Sequence, residues 1–459
     1  MNKEGKYVSI NNITIKEPEI SKSKIKISYV VDGEISELLI KYSRPLDIEV
    51  EDARLISIAP LVNYSLFTRE IEAEFPVDKE DYNFFQEMMR INSTEVYVNK
   101  LIKRPEFFKK ELLPDKPDKE EAEYIPNMKF KFSDVKKPIK GGGSVAILSS
   151  GGKESLLTYG MMKEIGSEVF PIYVNESGGH WRTAKTAYDY MMKNDPNTIR
   201  AWTTVDRFYR EMNLRVSALN ERALKMWSDT YPIQLFIFPV YIFTILPYIR
   251  ALRISYVMKG DEFDDPRNMK PENGIRHFYG IYDQTMEFDK KITEYFKIKE
   301  FNTIFFSAVR GISGYVEERI LFSRYPEIAA LQRSCHSCHY EGGNIVPCGK
   351  CSKCNGVLLF LLANSIDPAL IKYKKEDIDD FKNNYKDRLY RLDDDEREHS
   401  MFKLSNGKVG KPHEHIEKIH DCIECCDSNY IPEDFKDKLM NIMKHYTNGI
   451  TKLKNGEWN

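Results

Sequence analysis

The hydrophobic pattern changes period across residues 144–166. Residues 145–148 form a continuous apolar run, as in a strand buried on both faces. Ser149-Ser150-Gly151-Gly152 interrupts it. Leu156, Leu157, Tyr159, Met161 and Met162 then recur at helical spacing, and Gly166 supplies a stop. The alternation continues. Residues 169–174 read as a strand, 181–192 as a helix, 199–204 as a strand and 208–227 as a helix. Residues 254–258 and 303–307 read as further strands. Strands separated by helices predict an α/β fold, with a parallel sheet covered by helices on both faces, over 144–366.

The flanking regions follow other patterns. Ile25, Ile27 and Tyr29 alternate with polar residues, Asp32-Gly33 offers a hairpin turn, and 35–40 returns. Residues 78–91 begin acidic and continue at helical spacing. Residues 1–102 therefore read as an α+β domain. Residues 103–143, rich in charge and proline, read as an extended linker closed by Gly141-Gly142-Gly143. Residues 367–459 are polar and read as a helical extension containing histidines and cysteines.

Composition narrows the class. Apolar residues at 42% and charged residues at 30% describe a chain able to bury a core. Lys plus Arg number 68 against 70 Asp plus Glu, which argues against a general nucleic-acid surface and leaves only a local basic patch open. The N-terminal residues lack the apolar run of a secretory signal. The uncharged stretch 231–249 has the length of a membrane span, but Pro232, Pro239 and Pro247 favour a buried, bent helix and no membrane contact. All eight cysteines follow residue 334 and five fall within 335–354, a clustering that suits metal in a reducing, cytoplasmic compartment better than a disulfide framework.

In parallel sheets ligands sit beyond the carboxyl ends of the strands, and the polar clusters of this chain fall there. The turn of Ser149, Ser150, Gly151, Gly152, Lys153 and Ser155 places free N–H groups and a helix N-terminus at one point, which suits phosphate. It lacks the spacing of a Walker A loop. Asp261 and Glu262 follow the 254–258 strand and offer hard oxygens for Mg²⁺. His180 follows Gly178-Gly179 and is a candidate general base. Lys153 and Arg310 could offset phosphate charge. Cys338, Cys348, Cys351 and Cys354 have the spacing of a tetrahedral zinc site, with Cys335 and His336 as alternative ligands. His413, His415, His420, Cys422, Cys425 and Cys426 carry ligand types for a second metal at irregular spacing.

The sequence Ser150-Gly151-Gly152-Lys153-Glu154-Ser155 resembles the SGG-x-D-S loop of the PP-loop (N-type) ATP pyrophosphatases, with Glu154 where that family usually has Asp. The cysteine run from Cys338 to Cys354 looks like the zinc knuckle of the 7-cyano-7-deazaguanine synthase family. The order of parts, including Phe306-Ser307-Ala308-Val309-Arg310, is similar to that of the UDP-N-acetylmuramoyl-dipeptide epimerase family. These resemblances imply a PP-loop fold of the adenine nucleotide alpha hydrolase type. They imply an enzyme that adenylates a small-molecule carboxylate with ATP and Mg²⁺ and releases pyrophosphate, for amide or nitrile formation or epimerisation. Glu154, with Asp261 or Glu262, would hold Mg²⁺, and Zn²⁺ would be structural. Adenylation of a tRNA base and nucleotide binding without turnover are the competing expectations, and the reading allows a homodimer.

Overall fold

A computed structural model describes residues 5–134, 137–220, 222, 236–278, 281–335 and 337–459. The chain is α/β and divides into two compact units. One comprises Met1–Gly142, Ala201–Ser255 and Asn268–Thr303. The other comprises Gly143–Arg200, Tyr256–Arg267 and Ile304–Asn459. This division corrects the boundaries expected from sequence. Residues 201–255 and 268–303 belong with the N-terminal residues, and the C-terminal segment belongs with the strand–turn–helix of 144–166.

In the first unit, strand Lys24–Val31 pairs antiparallel with Glu34–Tyr42 through the turn at Asp32 and Gly33, whose φ angles are 47° and 88°. Ile25, Ile27 and Tyr29 point into the core as their alternation predicts. Helix Lys79–Val96 begins in a capping box, with Asp78 accepting from the Asp81 N–H and Asp81 reaching back to the Asp78 N–H. Residues 103–143 are no plain linker. They contribute strand Asn127–Phe132, which pairs in parallel with Thr68–Val77. The strand expected at 199–204 forms as Ile199–Thr203, but its partner is Glu34–Tyr42 and the pairing is antiparallel. The apolar stretch 231–249 supplies the short buried helix Phe238–Thr244 and the start of Leu246–Ala251, while residues 231–235 lie outside the described residues. Of the helix expected over 208–227, residues 208–215 lie in helix Val205–Arg215, which ends there; residues 216–220 instead form a turn and a bridge from Leu219 to Phe108, and 221 and 223–227 lie outside the described residues. Among the described residues no helix is long and apolar enough to cross a membrane.

The second unit carries the candidate chemistry. Its strands lie in the order Ile304–Phe306, Ile254–Met258, Ser144–Leu148, Val169–Asn175, with the first two parallel to each other and the last two parallel to each other. Every residue of Ser144–Leu148 is buried, as its unbroken apolar run requires. Helix Lys153–Glu164 packs Leu156, Leu157 and Met161 onto this sheet, and Gly166 at φ +84° ends it. Helices Gly178–Asn194, Gly314–Arg324 and Glu433–Lys444 bury Ala187, Ile320 and Leu439 in the same core. The C-terminal segment is helical only in part. It also forms a three-stranded sheet of Ile419–Asp421, Ile450–Lys454 and Glu457–Trp458.

One glycine sets how closely the strand ends approach the turn. A Cβ on Gly260 would lie 2.7 Å from Glu154 Cβ and 2.9 Å from the Ser155 nitrogen. Backbone atoms cannot yield as a flexible side chain can. Gly260→Ala is expected to destabilise the chain by about 1–3 kcal/mol through forced displacement of the helix start, read as a lower urea midpoint.

Candidate functional site

Sequence dictates the turn after Ser144–Leu148 step by step. The Ser149 N–H extends the strand pairing to Ile172 O at 2.9 Å. Gly151 then adopts φ +76°, a conformation glycine reaches without strain. A Cβ there would meet the Ala184 Cα at 3.1 Å, so the turn lies flat against helix Gly178–Asn194. Gly152, extended, is the N-cap of helix Lys153–Glu164, and the Leu156 N–H makes the first helical bond to its carbonyl. The N–H groups of Lys153, Glu154 and Ser155 have no carbonyl within the helix to reach. The serines brace the loop: the Ser150 N–H donates to Ser155 Oγ, and the Gly152 N–H to Ser150 Oγ, each at 3.3 Å.

Beside this turn stands a cage of carboxylates around one ammonium. Lys153 Nζ donates to Glu154, to Glu262 Oε2 at 2.8 Å, and lies 3.0 Å from Glu317 Oε2. One oxygen from each of the three glutamates lies within 4.8 Å of the others. Burial opposes the Lys153 charge, but Glu154, Glu262 and Glu317 outweigh it and hold its pKa well above the ordinary value. Glu317 is fully buried, and neither of its oxygens accepts an aligned hydrogen bond from the described residues. Burial, then Glu154 and Glu262, raise its pKa well above the carboxylate range.

Two further buried acids surround the cage. Glu396, at the start of helix Asp394–Leu404, accepts the Gly314 N–H at 2.7 Å, and burial followed by Glu262 raises its pKa to about 8. Glu318 accepts from Gln332 Nε2 at 2.7 Å, and burial raises it to about 7.

The expected site residues thus separate. Ser149, Ser150, Gly151, Gly152, Lys153 and Ser155 form the turn, and Glu154 and Glu262 meet at Lys153. Asp261 does not join them. It is buried between Lys259 Nζ at 2.9 Å and Arg310 Nη2 at 2.7 Å, which corrects its assignment as an alternative to Glu262 and engages Arg310 in an internal ion pair. His180 Nδ1 faces Glu176 Oε1 at 3.0 Å. Sequence reading missed Glu317, Glu318 and Glu396. The available signal was an adjacent acidic pair inside the otherwise apolar-patterned stretch Gly314–Arg324.

The cysteine cluster also needs correction. The four sulfurs brought within 4.8 Å of one another belong to Cys335, Cys348, Cys351 and Cys354, and Cys338 is not among them. Sγ separations are 3.3 Å for Cys335–Cys348, 3.6 Å for Cys335–Cys351 and 3.8 Å for Cys348–Cys354. A tetrahedron with Zn–S bonds of about 2.3 Å has edges of about 3.8 Å, so the cluster can hold zinc with slight expansion. Cys338 instead donates its backbone N–H to Cys335 O, closing the turn that carries Cys335. His336 lies outside the described residues. The cluster is tied to the turn of Ser149–Ser155: the Arg333 N–H donates to Gly151 O at 3.0 Å, and Thr183 Oγ1 to Cys335 O at 3.3 Å.

No family model matches this chain, and neither does any curated protein or solved structure.

The sulfur geometry predicts that Cys335→Ser abolishes tight zinc retention while Cys338→Ser keeps it, measured as zinc per chain after desalting. The buried acids predict a pH slope. Folded Glu396 keeps its proton up to about pH 8, whereas the unfolded chain releases it near the ordinary value of 4.5. The folded state therefore binds more protons in this window, so stability falls as pH rises through it and levels above. Urea denaturation at pH 5, 7 and 9 should show this decline, and Glu396→Gln should reduce it.

Proposed function

We propose that this chain uses ATP to adenylate a carboxylate substrate and releases pyrophosphate. A substrate carboxylate oxygen would attack the α-phosphorus as the bond from that phosphorus to the β-phosphate oxygen breaks. The product would be an acyl-adenylate, a mixed anhydride able to pass its acyl group to nitrogen or to acidify the neighbouring C–H.

The observation that carries this reading is the contrast between the turn and its neighbours. An anion-binding helix start stands directly beside three carboxylates, with the Lys153 ammonium among them and the Lys353 side chain close enough to act on Glu154 and Glu262. A polyphosphate alone would be repelled there. Hard oxygens at this spacing suit Mg²⁺, and Glu317, ion-paired with Lys153 at 3.0 Å but accepting no aligned hydrogen bond, supplies acceptors for it. Glu154, Glu262 and Glu317 would hold the ion, which would neutralise phosphate charge. Lys153, released from its carboxylates, would reach the phosphates. The turn N–H groups would fix the departing pyrophosphate, while the exposed Glu262 side would leave the ion open to water and substrate. Zinc at Cys335, Cys348, Cys351 and Cys354 would hold the Gly151 carbonyl through Arg333.

A second reading, nucleotide binding without turnover, is favoured by the closed Lys153 cage. One assay separates the two. The chain is incubated with ATP, Mg²⁺ and a panel of carboxylic acids, with tRNA as a further arm, and AMP and pyrophosphate are followed. Acid-dependent AMP and pyrophosphate are expected, falling at least ~10²-fold in Glu317→Gln. ADP and phosphate would overturn the proposal. Binding without any product would establish the second reading, and tRNA-dependent AMP would move the acceptor to a base.

A further inference from the structure

The C-terminal part of the second unit gathers four imidazoles that the adenylation reading does not use. His413 and His415 flank the start of the short turn Glu414–Glu417, His399 lies on helix Asp394–Leu404, and His420 on strand Ile419–Asp421. Asp395 enters from the first turn of that helix. The same turn sends Glu396 to Gly314 and Asp395 to the histidines. Nitrogens of His413 and His415 and an oxygen of Asp395 lie within 4.8 Å of one another.

We propose that Asp395, His413 and His415 form a second metal site, suited to zinc, distinct from the cysteine cluster. His413 carries the argument. Its Nδ1 lies 3.3 Å from Asp395 Oδ1 and its Nε2 lies 3.1 Å from Glu398 Oε2. Two carboxylates face the two nitrogens: a proton on each nitrogen, or an N–H on one and a bound cation at the other, satisfies both, and the second arrangement is the one proposed. The cation lies between Nδ1 and Asp395, with Nε2–H donating to Glu398 as the outer partner of a metal-bound histidine. The distance fits as well: zinc with bonds of about 2.0–2.1 Å has ligand–ligand edges of about 3.3–3.4 Å.

His415 completes the set. Its Nε2 lies 3.0 Å from Asp395 Oδ2, and its Nδ1 lies 3.2 Å from His420 Nε2, which fixes the ring orientation. Trp458 stacks on His415, and Phe263 stacks on His420 at 3.8 Å between ring centroids, so neither imidazole can rotate freely. One cation already touches the cluster. Arg267 Nη2 donates to Asp395 Oδ2 at 2.6 Å and lies 3.5 Å from His415 Nε2. It also pairs with Asp265. One guanidinium faces Asp265 and Asp395, with Glu398 behind His413, and the local balance stays negative. Arg267 engages Oδ2 and leaves Oδ1 for the metal. Asp395, His413 and His415 leave a fourth coordination position for water or a substrate oxygen, the arrangement of an open rather than a closed zinc site.

Cobalt tests this on the full chain, because thiolate ligands give an intense near-ultraviolet charge-transfer band and nitrogen–oxygen ligands do not. The first equivalent of Co²⁺ should develop the thiolate band. A second should add visible d–d absorption without further thiolate intensity. His413→Gln with His415→Gln should lose the second equivalent and keep the first. If that variant fails to fold, Glu317→Gln decides in its place: it should keep the second equivalent, and losing it would place the ion at the glutamate cage and overturn the proposal. Uptake that stops at one equivalent would overturn the proposal. So would a second equivalent that raises the thiolate band, since it would place the ion at Cys422, Cys425 and Cys426. None of these outcomes depends on ATP chemistry.

Discussion

The ammonium of Lys153 is the point on which the second unit closes. Glu154 follows it on the same helix, Glu262 arrives from the end of strand Ile254–Met258, and Glu317 from helix Gly314–Arg324. A buried charge is tolerated only when paired, and removing one partner commonly costs several kcal/mol. Here one ammonium contacts three carboxylates from three elements, and Lys353 adds a more distant positive charge beside Glu154 and Glu262. The interaction is therefore a lock on topology and a source of surplus negative charge. The chain manages the surplus by favouring the protonated form of buried acids, as at Glu396, Glu318 and Glu317 itself. Such an arrangement gives up stability near neutral pH. It is readily understood if a divalent cation restores the balance during the proposed reaction.

The cysteine cluster supports this centre mechanically. Gly151 must hold a positive φ with its carbonyl fixed, and that carbonyl accepts from Arg333, two residues before Cys335. Thr183, whose carbonyl lies beneath Gly151, bonds the Cys335 carbonyl through its hydroxyl. A metal closing four sulfurs would stiffen the segment that orients the turn. Cys351 also caps helix Ser352–Ala363, so metal binding and helix initiation share one residue.

Patterns with a short physical range were legible in the sequence. The buried strand, the glycine turn and the helix ending at Gly166 could be read because each depends on neighbours a few residues apart. The hairpin at Asp32-Gly33 was legible for the same reason. Pairing was less so. The apolar alternation of Ile199–Thr203 marks a strand but cannot say that Glu34–Tyr42 pairs with it antiparallel. The same limit applied to the site. Glu154 and Glu262 stood in recognisable clusters, whereas Glu317 and Glu396 matter only because distant elements bring them to Lys153. The choice of Cys335 over Cys338 was equally hidden. Both spacings reach a tetrahedron, and only the fold shows that Cys335, and not the equally buried Cys338, joins the other three sulfurs.

Three groups of potential ligands in one unit raise the question of how their ions would stay sorted. Ligand softness offers an answer. Four thiolates favour zinc and other thiophilic ions, and offer little to magnesium, which prefers oxygen and gives up water reluctantly. The glutamate cage is the reverse: its oxygens are hard, and one place in it is already held by an ammonium that a weakly bound soft ion could not displace. Asp395 with two imidazoles lies between these extremes. Its separation from the cage is maintained by adjacent residues, because Asp395 and Glu396 leave the same helical turn towards different partners. A single turn can therefore hold a nitrogen–oxygen site and an oxygen site apart without a wall between them, provided the helix start stays fixed. Asp393, whose side chain accepts the Asp395 N–H at 2.9 Å, is the cap that fixes it.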